Sequence, residues 1–408
     1  MPSETRSLFH WREIPGGVWA LGLVSLFMDL SSEMIHALLP LYLVGVLGAS
    51  TLTVGFIEGI AEATASITKI FSGALSDYLG KRKLLAVLGY GLAALTKPVF
   101  PLASSIAWLT AARFVDRIGK GIRGAPRDAL VADLTPADRR GTAFGLRQSL
   151  DTVGAVLGPL AAIVFMAMFA DNFTTVFWIA VVPAFISLAI VVVAVREPDR
   201  MPGERLVKSP FTRSELAKLD AAYWMVVGVS AIFTLARFSE AFLLLRAQSV
   251  GLDVTIVPAV MVVMNVAYTI SAWPAGALSD KNGRYGVLVV GFILLVVADL
   301  VLALGDSVLT VMIGVTLWGL HMGLTQGLLA ALVADTAPPA LRGTSFGMFN
   351  LVSGVALLAA SIIAGALWDL VGPRGTFLAG ALITATALAV LPFTHRRRGA
   401  RKVIRPTH

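Results

Sequence analysis

The chain has 408 residues, of which 57% are hydrophobic and 14% are charged, and its formal net charge is +8. Soluble domains carry about 25% charged residues, so the composition excludes an ordinary water-soluble protein. The absence of cysteine excludes disulfides, thiolate metal sites and cysteine catalysis.

Long apolar segments recur along the whole chain, and a helix of roughly 20 such residues crosses a bilayer. We predict an all-α integral membrane protein with twelve transmembrane helices. The predicted spans are 17–45, 53–76, 83–102, 105–126, 139–168, 174–195, 221–248, 254–278, 285–304, 308–333, 343–370 and 374–393. With both termini cytoplasmic, the cytoplasmic segments hold 23 of the 33 Lys and Arg and the opposite side holds two. This asymmetry predicts that orientation.

Two sequence motifs recur at about half the chain length. The segment 73–83 (GALSDYLGKRK) returns at 276–284 (GALSDKNGR), 203 positions on. The segment 129–145 returns at 331–347, 202 positions on, with Ala-Leu-Val-Ala-Asp and Arg-Gly-Thr-x-Phe-Gly preserved. A constant offset indicates a tandem duplication, so we predict two pseudo-symmetric six-helix bundles.

These bundles set the predicted domain organisation. The four regions are a first bundle at 1–195, a cytoplasmic linker at 196–220, a second bundle at 221–395 and a basic cytoplasmic tail at 396–408. Within the linker, residues 211–219 have helical apolar spacing that favours a position on the membrane surface. The basic tail is interpreted as a topology signal in contact with lipid, and no nucleic-acid partner is predicted.

Ionisable residues within the spans are concentrated in the first half, where they are candidates for function. In span 1, Asp29, Glu33 and His36 share one helical face. Arg113 and Arg117 of span 4 come to a similar depth. Acids facing arginines at one level suit a proton site, because protonation of the acid frees the arginine. The alternative is a static network of ion pairs.

Further candidates lie in spans 2 and 5. Glu58 and Glu62 are four residues apart, with Lys69 on much the same side of the helix. We expect these residues to face the other half. Two roles remain possible for them there, which are gating and substrate contact. Asp151 of span 5 completes the candidate proton and substrate set. The second half offers little beyond four residues, which are Arg237, Glu240, His321 and Asp299.

No motif for a metal, a nucleotide or covalent catalysis is found. Neither His36 nor His321 belongs to a His-x3-His or His-x2-Glu pair on its own span. The segment 119–124 (GKGIRG) lacks the preceding strand and the Gly-Lys-Ser/Thr ending of a phosphate loop. We therefore predict no enzyme activity, no metal and no cofactor, with a proton gradient as the energy source.

Three motifs resemble those of the major facilitator superfamily, and the resemblance covers essentially the whole chain. The segment 73–83 matches the loop 2–3 motif, including its aspartate at Asp77, and 276–284 stands where the loop 8–9 copy belongs. In span 4, residues 117–121 (RIGKG) resemble a proton-coupling motif, with Lys120 where glutamine is common. In span 5, the spacing of the antiporter motif is matched, although Ala161 and Ala162 replace its last glycines. The matching residues are Gly145, Gly154, Gly158 and Pro159.

The resemblance implies two bundles that rock about a site near mid-membrane. It also implies a conformational latch, in which Asp77 bridges a span-4 arginine (Arg117 or Arg123) and the N-terminus of span 11 in the outward-open state. The other residues assigned to the latch motifs are Gly73, Gly80, Arg82 and Asp280. In this family the span-5 motif accompanies exporters that exchange a drug or metabolite for protons.

The leading interpretation is therefore a proton-coupled exporter of a small organic compound. We expect a monomer in a bacterial plasma (inner) membrane, with its substrate, protons and membrane lipids as partners. Uptake of an organic anion or a metal chelate by symport is the alternative. A membrane sensor that transports nothing is a more remote one.

Overall fold

The computed structural model describes residues 14–79, 81–136, 139–197, 217–338 and 341–402. Within these ranges the chain is helical and contains no strand. The helices are α1 (Gly16–Gly45), α2 (Thr51–Leu79), α3 (Arg82–Thr96), α4 (Val99–Leu102), α5 (Ile106–Leu134), α6 (Arg140–Met168), α7 (Phe173–Val193), α8 (Ala221–Ala236), α9 (Ala241–Ser249), α10 (Ala259–Asn282), α11 (Arg284–Leu304), α12 (Val308–Thr336) and α13 (Arg342–Lys402).

Each of the twelve predicted spans coincides with one helix, a pair of short helices or one arm of α13. Span 3 is divided into α3 and α4 at Pro98, which has no backbone N–H to continue the helix. Helix α13 holds spans 11 and 12 as two arms, which meet at Gly372 with φ 80° and ψ 179°. Only glycine adopts this conformation readily, and the following Pro373 favours an extended residue before it.

Nine helical segments in the described ranges are long and apolar enough to cross a membrane, by length and composition. They cover ten of the predicted spans, since the segment Thr344–Leu391 holds two. The remaining spans are α2 and α5, which carry most of the ionisable residues of the candidate site. Side chains of this kind in an apolar setting need protein partners.

The helix of span 7 is interrupted at a point that its sequence does not predict. Helix α8 ends at Ala236 and α9 begins at Ala241, with neither proline nor glycine between them. The Ser239 amide donates to the Ser361 hydroxyl (3.2 Å), and the Ser239 hydroxyl accepts from the Ala241 amide (3.2 Å). These bonds satisfy backbone and side-chain groups that a continuous helix would satisfy itself.

The two halves repeat the same packing. In the first, α1 packs on α6 and α7, and α5 packs on α2 and α3. In the second, α8 packs on α13, and α12 packs on α10 and α11. Helix α2 meets α13 and helix α6 meets α10 across the boundary between the halves.

The halves are joined at one end of the spans, called here the closed end. Asp369 on α13 accepts hydrogen bonds from the backbone amides of Thr51 (3.1 Å) and Leu52 (2.9 Å) at the start of α2. The Thr255 hydroxyl, in the segment before α10, donates to the Asp171 carboxylate at 2.6 Å. These five residues form the closed-end clasp. A carboxylate at a helix N-terminus is stabilised by unpaired amides and the helix dipole.

The opposite end, called the open end, is formed by the ends of the helices that terminate at Leu79, Leu134, Asn282 and Thr336. A Cβ added at Gly145 or Gly276 near this end would meet no atom within 4 Å. By contrast, a Cβ at Gly55 would lie 2.1 Å from the Ser361 carbonyl oxygen, where α2 meets α13. The halves are therefore tightly packed at the α2–α13 contact toward the closed end, while Gly145 and Gly276 near the opposite end have open space beside them.

Candidate functional site

Two arginines of α5 form ion pairs with two glutamates of α2. Arg113 Nη2 lies 2.8 Å from Glu58 Oε2, and both side chains are 1% exposed. Arg117 Nη1 lies 3.2 Å from Glu62 Oε1. Gly121 allows the close approach of these helices, because a Cβ there would lie 2.4 Å from Thr68 Cβ.

These pairs correct two sequence expectations. Arg113 and Arg117 pair with the acids of α2 and not with Asp29 and Glu33 of α1, since α5 packs directly on α2. Glu58 also faces its own half. Gly55 and Gly59 occupy the α2 face that meets the other half, and Lys69 lies beside Gly124 of α5.

His36 connects α1 to this cluster. Its Nδ1 lies 3.3 Å from Glu33 Oε2, and its Nε2 lies 3.3 Å from Glu58 Oε2. An imidazole accepts a proton at one ring nitrogen and releases one from the other. His36 therefore lies between two carboxylates from different helices, Glu33 of α1 and Glu58 of α2.

The third cluster joins α1 to α6. Asp29 of α1 and Asp151 of α6 are close enough for their carboxyls to interact. Arg127 and Arg147 each place a nitrogen 3.5 Å from Asp151 Oδ1. Two neighbouring carboxyls disfavour ionisation of both, so the pair is a candidate for binding one proton. Asp29 thus faces another acid, which its position in the sequence did not reveal.

The glycines of the span-5 motif lie against the acidic face of α1. A Cβ at Gly154 would lie 2.5 Å from the Leu26 carbonyl oxygen and 3.1 Å from Asp29 Cβ. A Cβ at Gly158 would lie 2.6 Å from Glu33 Cβ. Pro159 follows within the same helix, and Gly145 lies in open space. Small residues of this kind set the distance between membrane helices, so the motif positions Asp29 and Glu33.

Gly158→Ala is expected to destabilise the protein, because its methyl group forces α1 and α6 apart. Overpacking of a close contact costs about 1–3 kcal/mol. Gly145→Ala is the matched control, since it adds a methyl group in open space on the same helix. We expect it to be neutral or to stabilise by at most about 1 kcal/mol. Thermal unfolding of the two purified variants makes the comparison, and equal midpoints would contradict this role for Gly158.

A buried ion pair between a lysine and an aspartate was not among the predicted site residues. Lys97 Nζ lies 2.9 Å from Asp116 Oδ1 and 3.0 Å from Ser32 Oγ, with Lys97 and Asp116 almost fully buried. Lys97 also stands at the C-terminus of α3, where the helix dipole favours a cation. Both charged residues were visible as ionisable groups inside spans, but nothing in the sequence indicates that they are partners.

The repeated motifs meet each other in both halves. Arg82 donates to the Ala129 carbonyl (3.2 Å) and forms an ion pair with Asp133. Arg284 forms the corresponding ion pair with Asp335. Asp133 and Asp335 were missed as functional candidates, although each ends a repeated Ala-Leu-Val-Ala-Asp segment.

The latch itself is only partly described. A Cβ added at Gly73 would lie 3.3 Å from the Ala125 methyl carbon, and the Arg123 guanidinium lies 4.8 Å from the Tyr90 ring centre. The side chains of Asp77 and Asp280 and the whole of Gly80 lie outside the described residues. The same holds for most of the linker and for the side chains of the basic tail.

Similarity to known proteins identifies the family of the chain. The sequence profile of the Major Facilitator Superfamily matches residues 21–245 and 227–408. The chain belongs to this superfamily. The predicted all-α membrane fold is therefore confirmed, and so is the prediction that this is not an enzyme, because members of the family are transporters. This superfamily member is a multi-pass membrane protein and a secondary transporter of small molecules.

Relatives of this superfamily member come from archaea and bacteria. An uncharacterized MFS-type transporter of Methanocaldococcus jannaschii is 34% identical over 94% of this chain and 96% of its own length. The inner membrane transport protein YajR of Escherichia coli is 25% identical over 91% of this chain and 82% of its own. Among solved structures, the nucleoside transporter NupG has a TM-score of 0.73 at 12% identity. The match covers 93% of this chain and 98% of that one, and it shows the fold alone.

Proposed function

We propose that this superfamily member is a proton-coupled exporter of a small organic compound that works by alternating access. The observation that carries the proposal is the pairing of two acids, Asp29 and Asp151, beside the close α1–α6 contact at Gly154 and Gly158. A cationic substrate group and a proton compete for such a pair, because either one neutralises it. This competition is the physical basis of antiport.

The other clusters take supporting roles in this proposal. His36 passes the proton between Glu33 and Glu58, and Arg113 compensates Glu58 after the proton leaves. Arg117 and Glu62 form a second compensated pair, with Glu62 about one-third exposed toward the space between the halves. Burial of the remaining charges limits leakage of protons through the first half.

The distribution of Lys and Arg supports a cytoplasmic position for the open end. On that orientation the structure corresponds to an inward-open state, with both termini in the cytoplasm. The bundles at 1–195 and 221–395 would then move relative to each other, joined by the linker at 196–220, with the tail at 396–408 against lipid. We propose that this transporter is a monomer. We also propose that it lies in the plasma membrane, since the E. coli relative is named as an inner membrane protein.

The transport assay uses proteoliposomes with an imposed pH gradient and a pH-sensitive dye inside. Lipophilic cations, organic anions and metal chelates are added one at a time. Export by antiport predicts that at least one compound drives a proton flux that empty liposomes lack. Substrate uptake with no dependence on the gradient would overturn proton coupling.

The closed-end clasp is the contact that this cycle must break. Asp369→Ala removes the acceptor of the Thr51 and Leu52 amides, and hydrogen bonds to a charged group contribute about 1.5–3 kcal/mol. We expect the equilibrium to shift roughly tenfold toward opening of this end. Since the chain has no cysteine, Leu358→Cys beside Gly59 provides a single thiol reporter at the α2–α13 contact.

Labelling of that thiol by a membrane-impermeant reagent measures the opening. Asp306→Ala is the matched control, because Asp306 pairs with Arg374 of the same half at the same end. Faster labelling in Asp369→Ala alone is the expected result. Equal rates in both variants would contradict the gating role of the clasp.

A further inference from the structure

The second half contains a buried carboxyl with no partner among the described residues. Asp299 on α11 is 0% exposed, and neither of its oxygens has a hydrogen-bond partner in the described ranges. Buried polar groups are nearly always satisfied, and ionisable residues inside membrane spans are rare unless they have a function. Asp299 belongs to none of the clusters of the first half.

The Asp299 carboxyl is closely packed against α13. A Cβ at Gly380 of α13 would lie 2.7 Å from Asp299 Oδ2 and 3.2 Å from Phe238 Cε1. The Asp299 carboxyl and the Phe238 ring therefore both lie close to the bare backbone of Gly380. Phe238 is part of the break in span 7, where the backbone leaves the helical path.

The aromatic residues connect Asp299 to two more unsatisfied groups. The Phe238 and Trp318 ring centres are 5.4 Å apart, and those of Trp318 and His321 are 5.3 Å apart. The Trp318 indole N–H has no partner in the described part of the chain. The His321 ring nitrogens have no side-chain partner there, although the Trp318 backbone carbonyl lies nearby. We call Asp299, Trp318 and His321 the second-half cluster.

The charged groups on the elements packed around Asp299 interact with groups other than Asp299. Arg246 of α9 donates to the carbonyls of Leu302 (2.8 Å) and Gly305 (2.5 Å) and so caps α11. Arg374 pairs with Asp306 at 2.9 Å. Arg237 acts electrostatically on His321, and Glu240 stands at the start of α9. No cation among the described residues is within ion-pair distance of Asp299.

An ionised Asp299 would have no compensating charge, no hydrogen-bond donor from the described residues and no water-exposed surface. Removal of a carboxylate from water under these conditions costs more than protonation does. A neutral carboxyl in the same place needs only a weak partner. The break at residues 237–240 lies at the side of the cluster, and its Ser239 amide donates to the Ser361 hydroxyl of α13 instead of a carbonyl of its own helix.

We propose that Asp299 is a proton-binding site of the second half. It holds a proton in this conformation and releases it to water in a conformation that hydrates the second-half cluster through the break in span 7. In that step the carboxyl O–H bond breaks, the proton leaves with the water and a carboxylate remains. The role of this site in transport rests on the proposed proton coupling, but its existence does not.

Infrared spectroscopy of the purified full-length protein tests the protonated state directly. The carbonyl band of a protonated carboxylic acid is compared in the wild type, Asp299→Asn and Asp306→Asn. We expect this band to lose intensity in Asp299→Asn and to keep it in Asp306→Asn, which removes an exposed, paired carboxyl. An unchanged band in Asp299→Asn would show that Asp299 is ionised and would overturn the proposal.

Exchange into heavy water tests release of the proton. A carboxyl that exchanges its proton shifts its band to lower frequency, so the component assigned to Asp299 should shift within the time of conformational cycling. A component that stays unshifted after prolonged exchange would identify a permanently neutral, structural carboxyl and overturn the proposal. If Asp299→Asn does not fold, Asp299→Glu provides the assignment, because it keeps a carboxyl at this position and changes the frequency of its band. Neither measurement needs a substrate, so a failed transport assay leaves both results interpretable.

Discussion

Asp29→Asn and Asp151→Asn are each expected to abolish substrate accumulation driven by a pH gradient. Each change replaces one member of the carboxyl pair that we propose as the proton site by an amide, which does not release a proton. Downhill exchange of substrate should continue, because the asparagine keeps the size and much of the hydrogen bonding of the protonated acid. Accumulation should therefore fall to the level seen without a gradient.

The control for this pair is Asp128→Asn. Asp128 lies 3.1 Å from Arg127 in the same cluster, but its carboxyl contacts arginines and not another acid. Accumulation in proteoliposomes and substrate affinity are measured for all three variants. Uncoupling is identified by lost accumulation together with a substrate affinity within about threefold of the wild type. That range corresponds to a binding free-energy difference below about 0.7 kcal/mol. Normal gradient-driven accumulation in both Asp29→Asn and Asp151→Asn would contradict the assignment.

Arg113→Met is expected to be among the most destabilising single changes in the first half. It leaves Glu58 buried beside His36 without its arginine, and breaking a buried ion pair costs about 3–5 kcal/mol. The double variant Arg113→Met with Glu58→Gln removes both charges, so most of the lost stability should return. Thermal unfolding midpoints and the yield of folded protein give the comparison.

Arg374→Met provides the matched control for this effect. Arg374 and Asp306 form an ion pair of similar length, but their side chains are 60% and 72% exposed. Exposed pairs contribute about 0.2–1 kcal/mol, so Arg374→Met should change the midpoint little. A double variant no more stable than Arg113→Met would show that Arg113 acts through packing and not through Glu58.

The elements of the fold were accessible from the sequence because the bilayer imposes a length on each span. The division of span 3 at Pro98 and the turn at Gly372-Pro373 have local causes, because proline and glycine at these positions are visible in the sequence. The break at 237–240 has no such cause, because it depends on Ser361, which is 122 positions away from Ser239.

The candidate site was only partly accessible for the same physical reason. Helical periodicity assigns residues to faces, and the contact between Glu33 and His36 agrees with that assignment. It does not say which helices are neighbours, so the partners of Arg113 and Arg117 were assigned to α1 and not to α2. The Asp29–Asp151 contact and the clasp at Asp369 likewise depend on how helices from distant parts of the chain are arranged.

The span-5 motif shows where sequence and structure complement each other. Its glycine spacing identified a segment that packs closely against another helix. The structure adds that the other helix is α1 and that Gly154 and Gly158 lie against the backbone and side chains of Leu26, Asp29 and Glu33. A packing motif and a candidate proton site, considered separately in the sequence, are therefore one structural unit.

The direction of proton movement that a substrate induces tests proton-coupled export most directly. Proteoliposomes containing the wild-type protein and an internal pH-sensitive dye receive an inward substrate gradient and no initial pH difference. Antiport predicts that protons leave the lumen as the substrate enters, so the interior becomes alkaline, and that Asp29→Asn abolishes the signal. Acidification of the interior on substrate entry would establish symport and contradict the proposed exporter.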